Sequence, residues 1–205
     1  MSGFEFAFSL FGLVLGLAMA EVLAGFVRVL KARTESANKR RKIRIGWMTP
    51  TLGAIVIVDL VTAWNLAWRT LQEVEVSVPV LFAGMIETGL YFIAASLVWP
   101  DDAKDWADLD NWFDRHKAQI GACLCGASLG FWLLYNASGI YSGFPPALAP
   151  YVIACAALVF TRTRRQSAAA LAVLAGCLTW VVGISTLELM DWLPGITGGL
   201  VPASQ

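Results

Sequence analysis

The chain has 205 residues, 58% of them apolar, a mean hydropathy of +0.64 and equal numbers of acidic and basic side chains. That apolar content exceeds what a soluble domain of this length needs for its core, and a net charge of zero offers no basic field for nucleic acid. The basic residues are instead segregated. Fourteen of the fifteen lysines and arginines fall in Arg28–Arg44, Lys104–Lys117 and Arg162–Arg165, between long apolar runs, and only Arg69 lies elsewhere. Repeated membrane crossing under the positive-inside rule produces this spacing.

The first predicted span is Phe6–Val27. Ala18-Met19-Ala20 has the look of a signal-peptide cleavage site, but the leading residues carry Glu5 and no positive charge. The basic stretch follows the apolar run instead of preceding it, so the segment is expected to be an uncleaved helix with its N-terminus outside. Arg28–Arg44 then holds eight basic residues against Glu35, a net of +7. Such a loop belongs on the cytoplasmic side and attracts anionic lipid at about 1 kcal/mol per charge.

Gly46–Arg69 and Val78–Trp99 are the second and third spans. Between the third and fourth, Asp101–Lys117 carries six aspartates against Lys104, Arg115 and Lys117, a net of −3. Its Trp106, Leu109 and Trp112-Phe113 recur at helical spacing, which predicts a short amphipathic helix on the inner face, acidic side toward solvent or the basic loop. His116 is expected in the same loop, as the one histidine of the chain.

The remaining spans are Ala118–Tyr141, Pro146–Thr161 and Ser167–Met190. The fifth is short and opens on Pro145, Pro146 and Pro150, so a re-entrant loop competes with a crossing. A segment that turned back would leave Arg162, Arg164 and Arg165 outside, so a tilted or locally thinned crossing is the cheaper answer. Continuous apolar runs, without alternation, exclude a β-barrel. The expectation is an all-α membrane protein: one domain over residues 1–205, a six-transmembrane-helix bundle with both termini outside. Trp47, Trp68, Trp99 and Trp192 stand near span ends, at headgroup level.

Three carboxylates lie inside spans, Glu21, Asp59 and Glu87, where an ionised group is costly without a cavity or partner. Counting helical rise, Asp59 falls near mid-membrane, Glu87 about 12 Å below the outer end of its span, and Glu21 in the inner half. They are candidates for an ion or proton path, or else hydrogen-bonding glue between helices worth about 0.6 kcal/mol each. Asn65, Arg69, Asn136 and Glu188 form a second polar group toward the outer side, with Glu73 or Glu87 as expected partners of Arg69. Gly12 and Gly16 in the first span, and Gly126 and Gly130 in the fourth, continue in steps of four to Ala20, Ala24, Ala118 and Ala122. Small residues at that spacing allow close helix packing, within the chain or between subunits, and their correspondence suggests two inverted three-helix repeats.

Other chemistries find little support. Cys123, Cys125, Cys155 and Cys177 sit in apolar runs without Cys-x-x-Cys spacing, as buried free thiols do. No predicted span contains lysine for a Schiff base, one histidine cannot supply a zinc or haem set, and nucleotide and hydrolase motifs are missing. No cofactor, no metal and no enzymatic activity are expected.

Leu15-Gly16-Leu17-Ala18 leading to Glu21, then Trp64-x-x-x-Trp68, Tyr91-Phe92-x-Ala94-Ala95, Pro100-Asp101, Asp108-Leu109 and Trp112-Phe113 carry a resemblance over about the first 120 residues. The chain resembles a loose group of small multi-pass bacterial inner-membrane proteins. The resemblance implies that location and imports no activity and no site. The functional expectation is a small ion- or proton-linked channel or transporter. The alternative is a membrane scaffold, binding a protein partner through Asp101–Lys117 and anionic lipid through Arg28–Arg44.

Overall fold

The computed structural model of the chain describes residues 3–36, 43–70, 72, 74, 76–137, 139 and 148–191. It contains α1 (Gly3–Ser36), α2 (Met48–Thr70), α3 (Val78–Val98), a 3-10 turn (Ala103–Asp105), α4 (Leu109–Ala137), α5 (Leu148–Phe160) and α6 (Arg164–Asp191). Five of these helices are long and apolar enough to cross a membrane, and α5 is the exception. The described residues form no strand, only an isolated bridge between Arg44 and Asp108.

Local chemistry accounts for the boundaries. Pro79 stands in the first turn of α3, where its missing N–H costs nothing, and Ser77 precedes the helix in an extended conformation. Trp99 ends α3 in an extended conformation, the one imposed on a residue before proline, here Pro100. With 34 residues, α1 outruns its apolar stretch and carries Lys31 and Arg33 beyond Val27.

The helices close into a ring. α3 packs between α1 and α4, α5 packs between α4 and α6, and α6 meets α2, which returns to α1. Polarity runs opposite to that of a soluble protein. Phe6, Phe82, Ile153, Trp180 and Phe160 face outward, Phe160 being 80% exposed, while Asp59, Glu87 and Lys117 are buried. An outer surface of this kind is at home in hydrocarbon, with the costly polar groups turned to the bundle interior.

The loops at the Arg44 and Arg164 end of the bundle are tied to each other and to the helices. The Arg44 N–H donates to the Ala107 carbonyl at 2.9 Å, and the Leu109 N–H donates to the Arg44 carbonyl at 3.1 Å. Asp110 Oδ1 accepts from the Met48 N–H at 3.3 Å, so a side chain of α4 caps the start of α2. Gly46 is required beside it, because a Cβ there would run into the Asp110 carboxylate. Lys104 pairs with Glu35 at 2.9 Å, and Arg164 meets Asp114 at 3.0 Å and Asn111 at 2.7 Å. The buried Lys117 ammonium donates to Ser167 Oγ at 2.8 Å and to Asp114 at 3.3 Å.

These contacts correct three expectations. No separate amphipathic helix lies between α3 and α4. Only the 3-10 turn forms there, and Leu109, Trp112 and Phe113 belong to the first turns of α4 itself. Burial decides it, for Leu109 and Phe113 are enclosed by the protein and do not lie on a membrane surface. His116 is likewise helical, stacked on Trp112 at 3.7 Å. The two inverted repeats are not carried by the packing, since α1 packs extensively on α3, whereas α4 packs on α3 and α5 in preference to α6.

The seam between α4 and α5 depends on Gly121. A Cβ there would stand 2.8 Å from the Cys155 carbonyl and 3.0 Å from Leu158 Cβ, with backbone on one side unable to yield. Gly121→Leu is therefore expected to cost about 1–3 kcal/mol or more by overpacking, read as a lowered unfolding midpoint in micelles.

Candidate functional site

Asp59 stands halfway along α2 and is buried. Its Oδ2 accepts a 2.7 Å hydrogen bond from the Tyr151 hydroxyl at the start of α5. Tyr91 of α3, also buried, brings its hydroxyl beside the same carboxylate. Glu87 lies one helical turn before Tyr91, and the charges of Asp59 and Glu87 both reach the Tyr91 hydroxyl. Asp59 and two phenols from three helices thus form one enclosed group, with Glu87 buried one turn along α3 from Tyr91.

Glu87 has unusual surroundings. It is nine-tenths buried, and its Oε2 has no hydrogen-bond partner. Gly130 of α4 makes room for it, since a Cβ at that position would collide with Glu87 Oε1. Outward of this carboxyl lies a cavity of about 80 Å³ lined by α1, α2, α3 and α4 and reaching Val74 and Val76. Its walls are almost wholly apolar, with Phe8, Phe11, Trp64 and Phe131 among them.

The Asp59–Tyr151 bond also fixes the depth of α5. Asp59 is eleven residues into α2 from Met48, and Tyr151 is the fourth residue of α5. The described part of α5 therefore runs about 20 Å, at 1.5 Å per residue, from near the mid-level of α2 toward the Arg164 end of the bundle. The described part of the fifth segment is helical, and residues 140–147 ahead of it, with the expected start at Pro146, lie outside the described residues.

No family model matches the chain, and no curated protein or solved structure matches it. The site must be judged on its own chemistry.

Asp59 and Glu87, two of the three expected path residues, are both buried within the bundle. Glu21 is held elsewhere, its Oε1 paired with Arg28 Nη2 at 2.7 Å on the same helix. Seven residues apart, the two sit two turns apart on one face of α1, a pairing their spacing already allowed. Of the expected outer cluster, Asn65 and Arg69 lie one turn apart on α2, and Asn136 donates to the Trp132 carbonyl of its own helix at 2.9 Å. Arg69 does not join Glu87 in an ion pair, and its other expected partner, Glu73, lies outside the described residues, as does the Glu188 side chain. Tyr135 ties α4 to α2 at that end through the Leu66 carbonyl at 3.3 Å.

The glycines divide. Gly12 receives the Trp64 ring and Gly130 receives Glu87; Gly126 meets Leu90 at 3.3 Å from its Cβ position, and Gly16 faces open space. All four cysteines are free, with Cys155 buried a turn beyond Tyr151 and the other three partly exposed. Among the described residues, no group of three or more His, Cys, Asp or Glu side chains is placed to hold a metal ion.

Tyr91 and Tyr151 escaped the sequence reasoning. Tyr91 carried a signal, its helical spacing from Glu87; Tyr151 carried none, because the proline-rich start of α5 hides its depth. Tyr151→Phe is expected to leave buried Asp59 one donor short and lower stability by about 1–3 kcal/mol. Tyr135→Phe, which removes a long exposed bond, is expected to change stability by less than about 0.5 kcal/mol. Paired thermal melts in the same detergent check the difference.

Proposed function

We propose that the chain is a proton- or cation-linked membrane transporter whose path runs through Glu87 and Asp59. The observation that carries this reading is the burial of both carboxyls inside apolar helices, Asp59 held by Tyr151 at 2.7 Å across α2 and α5 and Glu87 one turn from the buried Tyr91 on α3. Carboxylates placed only as helix glue would each be satisfied by a neighbour, yet Glu87 keeps an unpartnered oxygen beside a cavity.

In this proposal the basic loops face the cytoplasm, both termini face outward, and the bundle resides in a bacterial inner membrane. Glu21, neutralised by Arg28, stands toward the inner exit and carries no proton or cation of its own. Anionic lipid gathers at Arg28–Arg44, and Gly16 is free to pack against a second copy.

The scaffold reading draws on the same loops but finds less in its favour. Asp110 is spent on Met48, Asp114 on Arg164 and Lys117, and Lys104 on Glu35, so much of the loop charge is already satisfied within the chain.

Liposome flux separates the two. Wild-type protein is expected to carry protons or a monovalent cation down an imposed gradient. Asp59→Asn and Glu87→Gln are expected to lose at least about tenfold in rate, as removal of a relay group does. Glu21→Gln is expected to retain most of it. A folded wild type silent to every ion tested would overturn the proposal in favour of a scaffold.

A further inference from the structure

Among the described residues, Lys117 is the basic side chain that the protein buries. Its ammonium donates to Ser167 Oγ of α6 at 2.8 Å, and Ser167 Oγ lies 3.1 Å from Thr161 Oγ1, just past the end of α5. The charge partner is Asp114, 3.3 Å away and nearly one turn back along α4. Asp114 is shared with Arg164, whose Nε stands 3.0 Å from its other oxygen. Lys117 and Ser167 are closed off from solvent, whereas the side chains of Asp114 and Arg164 are 31% and 50% exposed. The anion that neutralises the buried cation is itself reachable from water.

Beyond this group the seam turns apolar. Leu158 of α5 sits against Gly121, one turn along α4 from Lys117, and Leu171 lies one turn along α6 from Ser167. Leu124, Leu158, Leu171 and Leu174 are all fully enclosed. Farther along α5 come the enclosed Cys155 and then Tyr151, which holds Asp59 at 2.7 Å. Thr161 and Tyr151 are about 15 Å apart along the helix axis.

Burying an ammonium is a poor way to fasten helices. Its desolvation offsets most of the attraction to a carboxylate, and an apolar side chain of the same volume often holds a seam as well or better. A buried ammonium does something that an apolar side chain cannot. Once its anion is withdrawn it has to be hydrated, which brings water in beside Ser167 and up to the leucines. Apolar constrictions gate by wetting and dewetting.

We propose that Lys117 and Asp114 form a charge latch, which closes a water route running from the Arg164 end of the bundle along the α4–α5–α6 seam to Asp59. The leucine layer is the barrier, and Asp114, shared with the exposed Arg164, is the movable part. The inference goes beyond the transport reading and rests on it for the use made of Asp59. Opening is read from a thiol and not from flux.

Cys155 reports the opening, because it lies past the leucine at position 158. Cys123→Ala, Cys125→Ala and Cys177→Ala leave it as the one thiol of the full-length protein, which is treated in detergent with a small cationic methanethiosulfonate. Slow modification is expected for this parent. Asp114→Asn is expected to speed it at least about tenfold, because the ammonium left unpaired draws water into the seam. Ser167→Ala, which removes the other acceptor, is expected to act in the same direction, and it decides the matter if Asp114→Asn does not fold. Lys117→Met is expected to stay as slow as the parent. Asp114→Asn combined with Lys117→Met is expected to be slow again, since no buried charge is left to hydrate. Thermal melts establish that each variant is folded.

An unchanged rate in folded Asp114→Asn would overturn the proposal, as would a parent thiol that is already fast. Equal acceleration by Lys117→Met would also overturn it and mark an ordinary loosening of the seam. A working latch in a protein without liposome flux would sink the transport reading and leave the water route standing. Flux with a Cys155 that neither acceptor variant exposes would do the reverse.

Discussion

A carboxyl group at mid-depth in an apolar bundle has to find hydrogen-bond donors inside the protein, because the surrounding hydrocarbon supplies none. For Asp59 the donor is Tyr151, 2.7 Å away. Much of the architecture follows from that contact. It pins Tyr151 of α5 to the middle of α2. It draws α5 toward α4, where Gly121 lets the two backbones close up. It also brings Tyr91 into the same enclosure, with Glu87 buried one turn away on α3.

At the Arg44 and Arg164 end of the bundle, capping by Asp110, the exchange of backbone hydrogen bonds around Arg44 and the Lys117–Ser167 contact bind α2, α4 and α6 through directional bonds. Nearer the opposite end, Phe8 packs against Trp64 and Phe11 against Gly84. Apolar contacts in lipid lack a hydrophobic drive and depend on packing alone.

Helix number and placement were legible because they rest on simple terms. Each apolar run is bounded by a charged stretch or a proline, and those boundaries reappear within a few residues at the ends of α2, α3, α5 and α6. The acidic loop was misjudged for a physical reason. Helical spacing of Trp106, Leu109, Trp112 and Phe113 is the same whether the apolar face meets lipid or protein, and only burial shows that Leu109 and Phe113 are enclosed. At the candidate site, the three carboxylates announced themselves by cost, but which of them meet depends on helix rotation and depth. Glu21 was separated from Asp59 and Glu87 by an arginine two turns along its own helix. Tyr151 could not be foreseen at all, since its level is set by where α5 packs against α2, a property of the fold and not of its own neighbours in the chain.

The contact of Glu87 with Gly130 makes the two positions unequal in what they tolerate. Glu87 reaches the space a side chain at position 130 would fill, so an alanine or serine there obliges the carboxylate to withdraw. With glycine kept at 130, a shorter residue at 87 meets no such obstacle. Tolerance to substitution at this seam is therefore one-sided: the glycine shelters the acid, and the acid does not shelter the glycine.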